Sequence, residues 1–292
     1  MKSTQSSGRV FVLGRRRRLL ILLGLSLPIF IGILITPPIP QDLNYHDFVD
    51  QRPILGIPHM WNVVSNVPFA LIGAMGCCWL LSRRNLSKPF AERWEAAACL
   101  VFFAGEVLTC FGSAYYHANP NNHTLVWDRL AFSLLLTSFF TIVITEFVSQ
   151  RAGRIMLAPM VLLGLYSVLL WHAGEATGQG DLRVYILVQF YPVIAIPFII
   201  WMFPSRYGQN RPFLLLWALF VLAKICELLD APIYEFSGFW SGHTFKHLIA
   251  GVATCCLLYA LRHRPATSSL EKAGWISGPA SGRLLKPSTE TR

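Results

Sequence analysis

Gly112-Ser113-Ala114-Tyr115-Tyr116-His117, with Asp128 a short polar break later, is the stretch that decides the fold. It closes one apolar run, Trp94 to Tyr116, and leads into the next, Leu125 to Phe147. Runs of this length cross a bilayer as helices. Ser113 and His117 are four residues apart and share one helix face. An ionisable group at the mouth of a membrane helix is costly, which makes His117 a functional candidate. Far downstream, His243-Thr244-Phe245-Lys246-His247 sets two more imidazoles on one helical face.

The rest of the chain has the same character. Its 292 residues are 54% hydrophobic and only 14% charged, with a mean hydropathy of +0.48. That exceeds the apolar content of soluble domains, and the apolar residues fall in long runs. Strict in/out alternation, the mark of a membrane barrel, is missing. The reading is an all-α polytopic transmembrane helix bundle. The net charge of +10 does not point to nucleic acid, because the basic residues cluster at the ends of apolar runs, where they orient membrane helices. All seven cysteines (Cys77, Cys78, Cys99, Cys110, Cys226, Cys255, Cys256) lie in apolar runs and read as small core residues.

Taken in order, residues 1–18 are polar and basic, ending in Arg15-Arg16-Arg17-Arg18, and are expected to be disordered. Leu19–Thr36 is a first span; Pro37-Pro38-Ile39-Pro40 follows it in place of a cleavage site, so it reads as uncleaved. Gln41 to Met60 is polar and aromatic. Further spans are expected from Trp61 to Ser82, Trp94 to Tyr116, Leu125 to Phe147, Ile155 to Trp171, Leu182 to Phe203, Pro212 to Leu229 and Gly242 to Leu261. Together, residues 37–262 form a seven-helix domain preceded by one extra amino-terminal span, and 263–292 form a basic, disordered tail.

Charge bias checks the count. With the amino terminus cytoplasmic, Arg15–Arg18, then Arg83, Arg84, Lys88 and Arg93, then Arg151 and Arg154, then Arg206 and Arg211, and finally Arg262 and Arg264 all fall inside. That fits eight spans with both termini cytoplasmic. The same orientation brings His117, Asp128, His243 and His247 to one depth near the outer face.

Neutral imidazoles are good zinc ligands, and three protein ligands with one open position make a catalytic arrangement. His117, His243 and His247 are the candidate ligands. Asp128 is a candidate proton acceptor, and Ser113 a candidate donor to a developing oxyanion. Blander readings stand beside these. The histidines can be satisfied core groups, Asp128 can pair with Arg129 or sit at a helix amino terminus, and Ser113 can be helix-packing surface. Lys224 and Glu227, three apart, read as a structural pair, with Asp230 nearby. His172, Glu175 and His123 read as loop residues. Asn62, Ser65 and Asn66 either cap the second span or face the polar pocket.

In combination these motifs resemble the alkaline ceramidase family of the CREST superfamily of membrane hydrolases. Trp61-Asn62-Val63-Val64-Ser65-Asn66 is similar to that family's W-N-x-x-S-N, Gly112 to His117 to its G-S-x-x-(Y/F)-H, and His243 to His247 to its final H-x-x-x-H; Asp128 stands where the family has an aspartate. The resemblance covers roughly residues 45–262. It implies a seven-helix hydrolase core, zinc on His117, His243 and His247, and Asp128 and Ser113 as catalytic partners. It also implies a ceramide-like lipid, drawn from the bilayer, as the amide substrate. The chain departs from the family's acidic calcium-binding segment: Asp47-Phe48-Val49-Asp50-Gln51-Arg52 is poor in oxygen ligands, and no calcium site is expected. A receptor-like sensor of the progestin and adipoQ receptor type is the alternative, and a transporter a more distant one.

Overall fold

The computed structural model describes residues 14–82 and 89–265. Residues 1–13 and 266–292 of the expected disordered ends, and Arg83, Arg84 and Lys88, lie outside them. Among the described residues there is no strand beyond an isolated Ile54–Ile57 bridge, and the architecture is an all-α bundle. Its helices are α1 (Arg15–Ile35), α2 (Met60–Val64), α3 (Val67–Leu81), α4 (Trp94–Ala118), α5 (Asn122–Val143), α6 (Gln150–Glu175), α7 (Arg183–Met202), α8 (Asn210–Leu228), α9 (Asp230–Ser237), α10 (Gly242–Ala253) and α11 (Cys255–Arg262). The first helix begins earlier than the sequence suggests: Arg15–Arg18 form its first turn.

Seven units are long and apolar enough to cross a membrane: α1, α2 with α3, α4, α5 with the π-type turn Ile144–Val148 that extends it, α6, α7, and α10 with α11. These make the chain a multi-pass membrane protein. The eighth expected span differs. Helix α8 carries Lys224 and Glu227 near its end, and it meets the same measure only together with α9, into which it bends by 79°. Even so, α8 rises about 28 Å at 1.5 Å per residue, roughly the hydrocarbon thickness.

Helix direction alternates along the bundle. Arg15 donates to the Val148 carbonyl at 3.2 Å, and Arg183 to that of Thr36 at 2.7 Å, which fixes the two ends of α1. One end of the bundle therefore gathers Arg15, Arg151, Arg154, Arg206, Arg211 and Arg264, and the other gathers His117, Asp128, Glu227 and His243. Helix α1 has no buried residue and lies against α7, where Ser26 and Tyr191 hydroxyls meet at 2.7 Å. It packs on the outside of the bundle.

The centre is α5, seated against α4 and α6. Asn121 opens it with a capping box, its side chain accepting from Thr124 N while Thr124 Oγ1 accepts from Asn121 N. Close packing of α4 on α5 depends on Gly112, where a Cβ would stand 2.5 Å from the Trp127 carbonyl oxygen. Gly242 plays the same part between α10 and the α8–α9 bend, where a Cβ would lie 2.8 Å from Asp230 Cα. Glycine thus brings both histidine-bearing helices to their neighbours.

At the basic end, Arg264 is buried against Glu146 at 2.9 Å and Glu95 at 3.8 Å, with its guanidinium 4.0 Å from the Tyr207 ring centroid. Of the cysteines, Cys99 and Cys110 are buried as expected, but Cys78 and Cys255 face outward from the bundle.

Candidate metal centre

His117 ends α4, and His243 and His247 occupy the first two turns of α10. All three are buried. Their ligand nitrogens lie within 4.8 Å of one another, so the group can hold a metal ion. His117 Nε2 and His243 Nε2 are 3.2 Å apart, close to the roughly 3.3 Å edge of a tetrahedron with metal–nitrogen bonds near 2.0 Å. The His117 Nδ1 is buried with no hydrogen-bond partner. The donor set therefore suits a borderline-soft divalent ion bound through neutral imidazoles.

Neighbours orient these rings. Asn62 in α2, and Ser65 and Asn66 in the break before α3, are all buried. Ser65 Oγ lies 2.9 Å from His247 Nδ1, which turns the Nε2 edge of that imidazole towards the other two. Asn62 Oδ1 accepts from Thr244 Oγ1 at 2.9 Å and so ties α2 to the start of α10. Of the three, Asn66 lines the cavity described below, while Asn62 and Ser65 bind α10 through Thr244 and His247. Asp230 accepts from the His243 backbone N–H at 2.7 Å and from that of Val49 at 3.3 Å, joining α9, α10 and the 37–59 segment.

Phe48 packs over two of the histidine rings. Its ring is buried, 4.6 Å from both the His117 and the His243 ring centroids. The segment is pinned by Asp50, which pairs with Arg52 at 2.7 Å, while Arg52 also donates to the Phe239 carbonyl at 2.6 Å. Burial raises the Asp50 carboxyl, and the Arg52 guanidinium more than offsets it, holding the group below the usual carboxylate range. His59, at the start of α2, takes a left-handed φ of +47° to turn the chain into the bundle.

A small cavity of about 50 Å³ opens beside His247, with Ser113 and Asp128 also in its wall. Ser113 and Asp128 adjoin each other in that wall. Asp128 does not pair with Arg129, which points elsewhere: its Nη2 donates to Gln41 at 2.6 Å and its guanidinium stacks 4.3 Å from the Trp171 ring centroid. Adjacent helical residues diverge by about 100°. Lys224 and Lys246 both pair with Glu227, the latter at 3.0 Å, and Lys246 Nζ also stands 2.9 Å from His243 Nε2.

All five candidate residues, Ser113, His117, Asp128, His243 and His247, thus come to one place. Lys246 was overlooked, although its position three after His243 signals a shared face. Glu175 is no loop residue: α6 runs past Trp171, and Glu175 accepts from Trp171 Nε1 at 3.0 Å and from Asn122 Nδ2 at 3.1 Å. His172 likewise lies in the last turn of α6. His123 is exposed and takes no part in the centre. No protein-family model matches the chain, and no curated protein matches it.

Proposed function

We propose that the chain is a zinc-dependent integral-membrane amidase that cleaves ceramide-like lipids into a long-chain base and a fatty acid. The observation that carries this reading is a cluster of three buried imidazoles, one of which, His247, shares a cavity wall with Ser113 and Asp128. A structural metal needs no such cavity and no adjoining proton acceptor.

His117, His243 and His247 would hold the ion. When bound, zinc polarises a carbonyl and lowers the pKa of water. Asp128 takes the proton released as water adds to the amide carbon and passes it to the departing nitrogen. Ser113 donates to the Asp128 carboxylate while that group is ionised. Once Asp128 carries the proton the bond reverses, and the serine hydrogen is free to meet the substrate oxygen. Phe69, Phe132 and Phe220 line the same cavity and suit an acyl chain. Phe48 keeps bulk water from the histidines on the aqueous side.

The gathering of arginines at the opposite end supports a cytoplasmic side for that end, by the bias of basic residues towards the cytoplasm. The metal centre then lies near the outer face, and substrate arrives from the membrane. Purified protein is expected to hold about one zinc per chain and to release fatty acid from ceramide. Full activity in His117→Ala, or release without any bound metal, would refute the assignment.

A further inference from the structure

Resting on the amidase reading, we infer that the preferred substrate carries an anionic group, a carboxylate or a phosphate, close to its amide, and that Arg129 receives it. The cavity wall holds three cations, Arg129, Lys224 and Lys246, against two carboxylates, Asp128 and Glu227. Glu227 is taken up by both lysines. Asp128 is engaged with Ser113. Arg129 is left with no carboxylate within ion-pair distance, although only 5% of it is exposed.

What surrounds Arg129 is polar but neutral. Its Nη2 donates to the amide oxygen of Gln41 at 2.6 Å. Its guanidinium stacks against Trp171 at 4.3 Å and Tyr185 at 4.7 Å from the ring centroids. Its Nη1 is buried with no hydrogen-bond partner. Aromatic faces offset part of the cost of burying a cation, but they leave the N–H groups unsatisfied. A buried guanidinium flanked by two rings, with one nitrogen unpaired on a side chain that lines the cavity, has spare donors for a planar or tetrahedral anion. A divalent ion on the three histidines adds to the positive excess, which further favours an anionic guest over a neutral one.

The apolar part of the wall selects an acyl chain and the histidine side reaches the amide. The anion is therefore a substituent on the amine portion, as in an N-acyl amino acid or an N-acyl phosphoamine. In a neutral ceramide this position would hold only hydroxyls.

The test uses full-length protein in a neutral detergent and measures equilibrium binding of three labelled probes: N-dodecanoylglycine, N-dodecanoylethanolamine and dodecanoate. Zinc-free and zinc-loaded protein are compared, so the readout does not depend on turnover. The expected result is binding of the acylglycine about tenfold or more tighter than the neutral amide. Arg129→Gln is expected to abolish that preference, and Arg129→Lys to keep part of it. Equal affinity of the wild-type protein for both amides would overturn the inference without recourse to any variant. So would dodecanoate binding as the only anion-dependent event, because the site would then serve the product. The two readings fail separately. An anion preference with no acid released from any amide removes the amidase assignment, whereas acid release with no anion preference removes Arg129's role.

Discussion

His247 Nδ1 lies 2.9 Å from the hydroxyl of Ser65, a residue 182 positions earlier in the chain. The break between α2 and α3 thus fixes the ring orientation of a candidate metal ligand far along the chain. Ser65→Ala is expected to weaken metal affinity about 10- to 100-fold, the usual cost of losing a partner that orients a histidine ligand. Competition with a graded chelator series reads the change directly. An unchanged affinity would show that Ser65 merely fills space.

Asp128 and the histidines should separate by assay. In Asp128→Asn, metal content is expected to stay at the wild-type level while amide turnover falls about 10²- to 10⁴-fold, the range for removing a general base. In His117→Ala and His247→Ala, metal content itself is expected to fall towards zero. Elemental analysis beside fatty-acid release distinguishes the two patterns, and loss of metal in Asp128→Asn would count against its assigned part.

Phe48 packs on the His117 and His243 rings, 4.6 Å from each centroid. Phe48→Ala should let a membrane-impermeant chelator strip the metal about tenfold faster, with equilibrium affinity changed much less, since opening a path alters rates before energies. Equal stripping rates in the two proteins would mean that metal leaves by another route.

The loop that carries Phe48 has its own pH dependence. Asp50 is held below the ordinary carboxylate range by Arg52, so its contribution is complete above the unfolded-state pKa of about 3.9 and is lost as pH falls through the lower folded value. Chelator access is therefore expected to rise on acidification below about pH 4, and Arg52→Ala should show the fast rate already at neutral pH. Stopped-flow metal release across pH tests both. Flat profiles in wild type would dismiss the pinning role.

The far end of the bundle offers a control. Arg264 and Glu146 are almost wholly buried and 2.9 Å apart. Arg264→Ala leaves buried carboxylates uncompensated and is expected to destabilise the fold by about 3–5 kcal/mol. Zinc content per folded molecule should stay the same. Thermal unfolding in detergent, with metal analysis of the folded fraction, reads both quantities.

The spans were legible because membrane helices announce themselves through long apolar runs, which need no partner to be recognised. The three histidines could be placed together because helix direction and charge bias set their depth. What escaped depended on contacts across the chain. Glu175 was read as a loop residue, yet it holds Asn122, 53 positions away, and Gln41, 134 away. Arg129 invited a pairing with its neighbour Asp128, and only the angle between successive helical side chains sends it to Trp171 and Gln41 instead. The end of α8 at Leu229 was legible, since Pro232 just beyond it cannot donate back to Leu228; the short α9 after the bend was not, because Asp230, which holds the start of α10, acts across the chain. Two outward-facing cysteines, Cys78 and Cys255, were misjudged because lipid-facing and buried positions have the same composition in a membrane.

Arg264 follows the final helix, yet the acids it neutralises belong to α4 and to the turn that extends α5, with Glu146 118 positions upstream. Six helices, α6 to α11, are made between Glu146 and that arginine. Until then Glu95 can lean on Gln150 and Tyr207, and Glu146 on Ser205, all neutral donors, so the cation that balances their charge is the closing piece of this end of the bundle, and a chain cut before it is expected to hold together less firmly there.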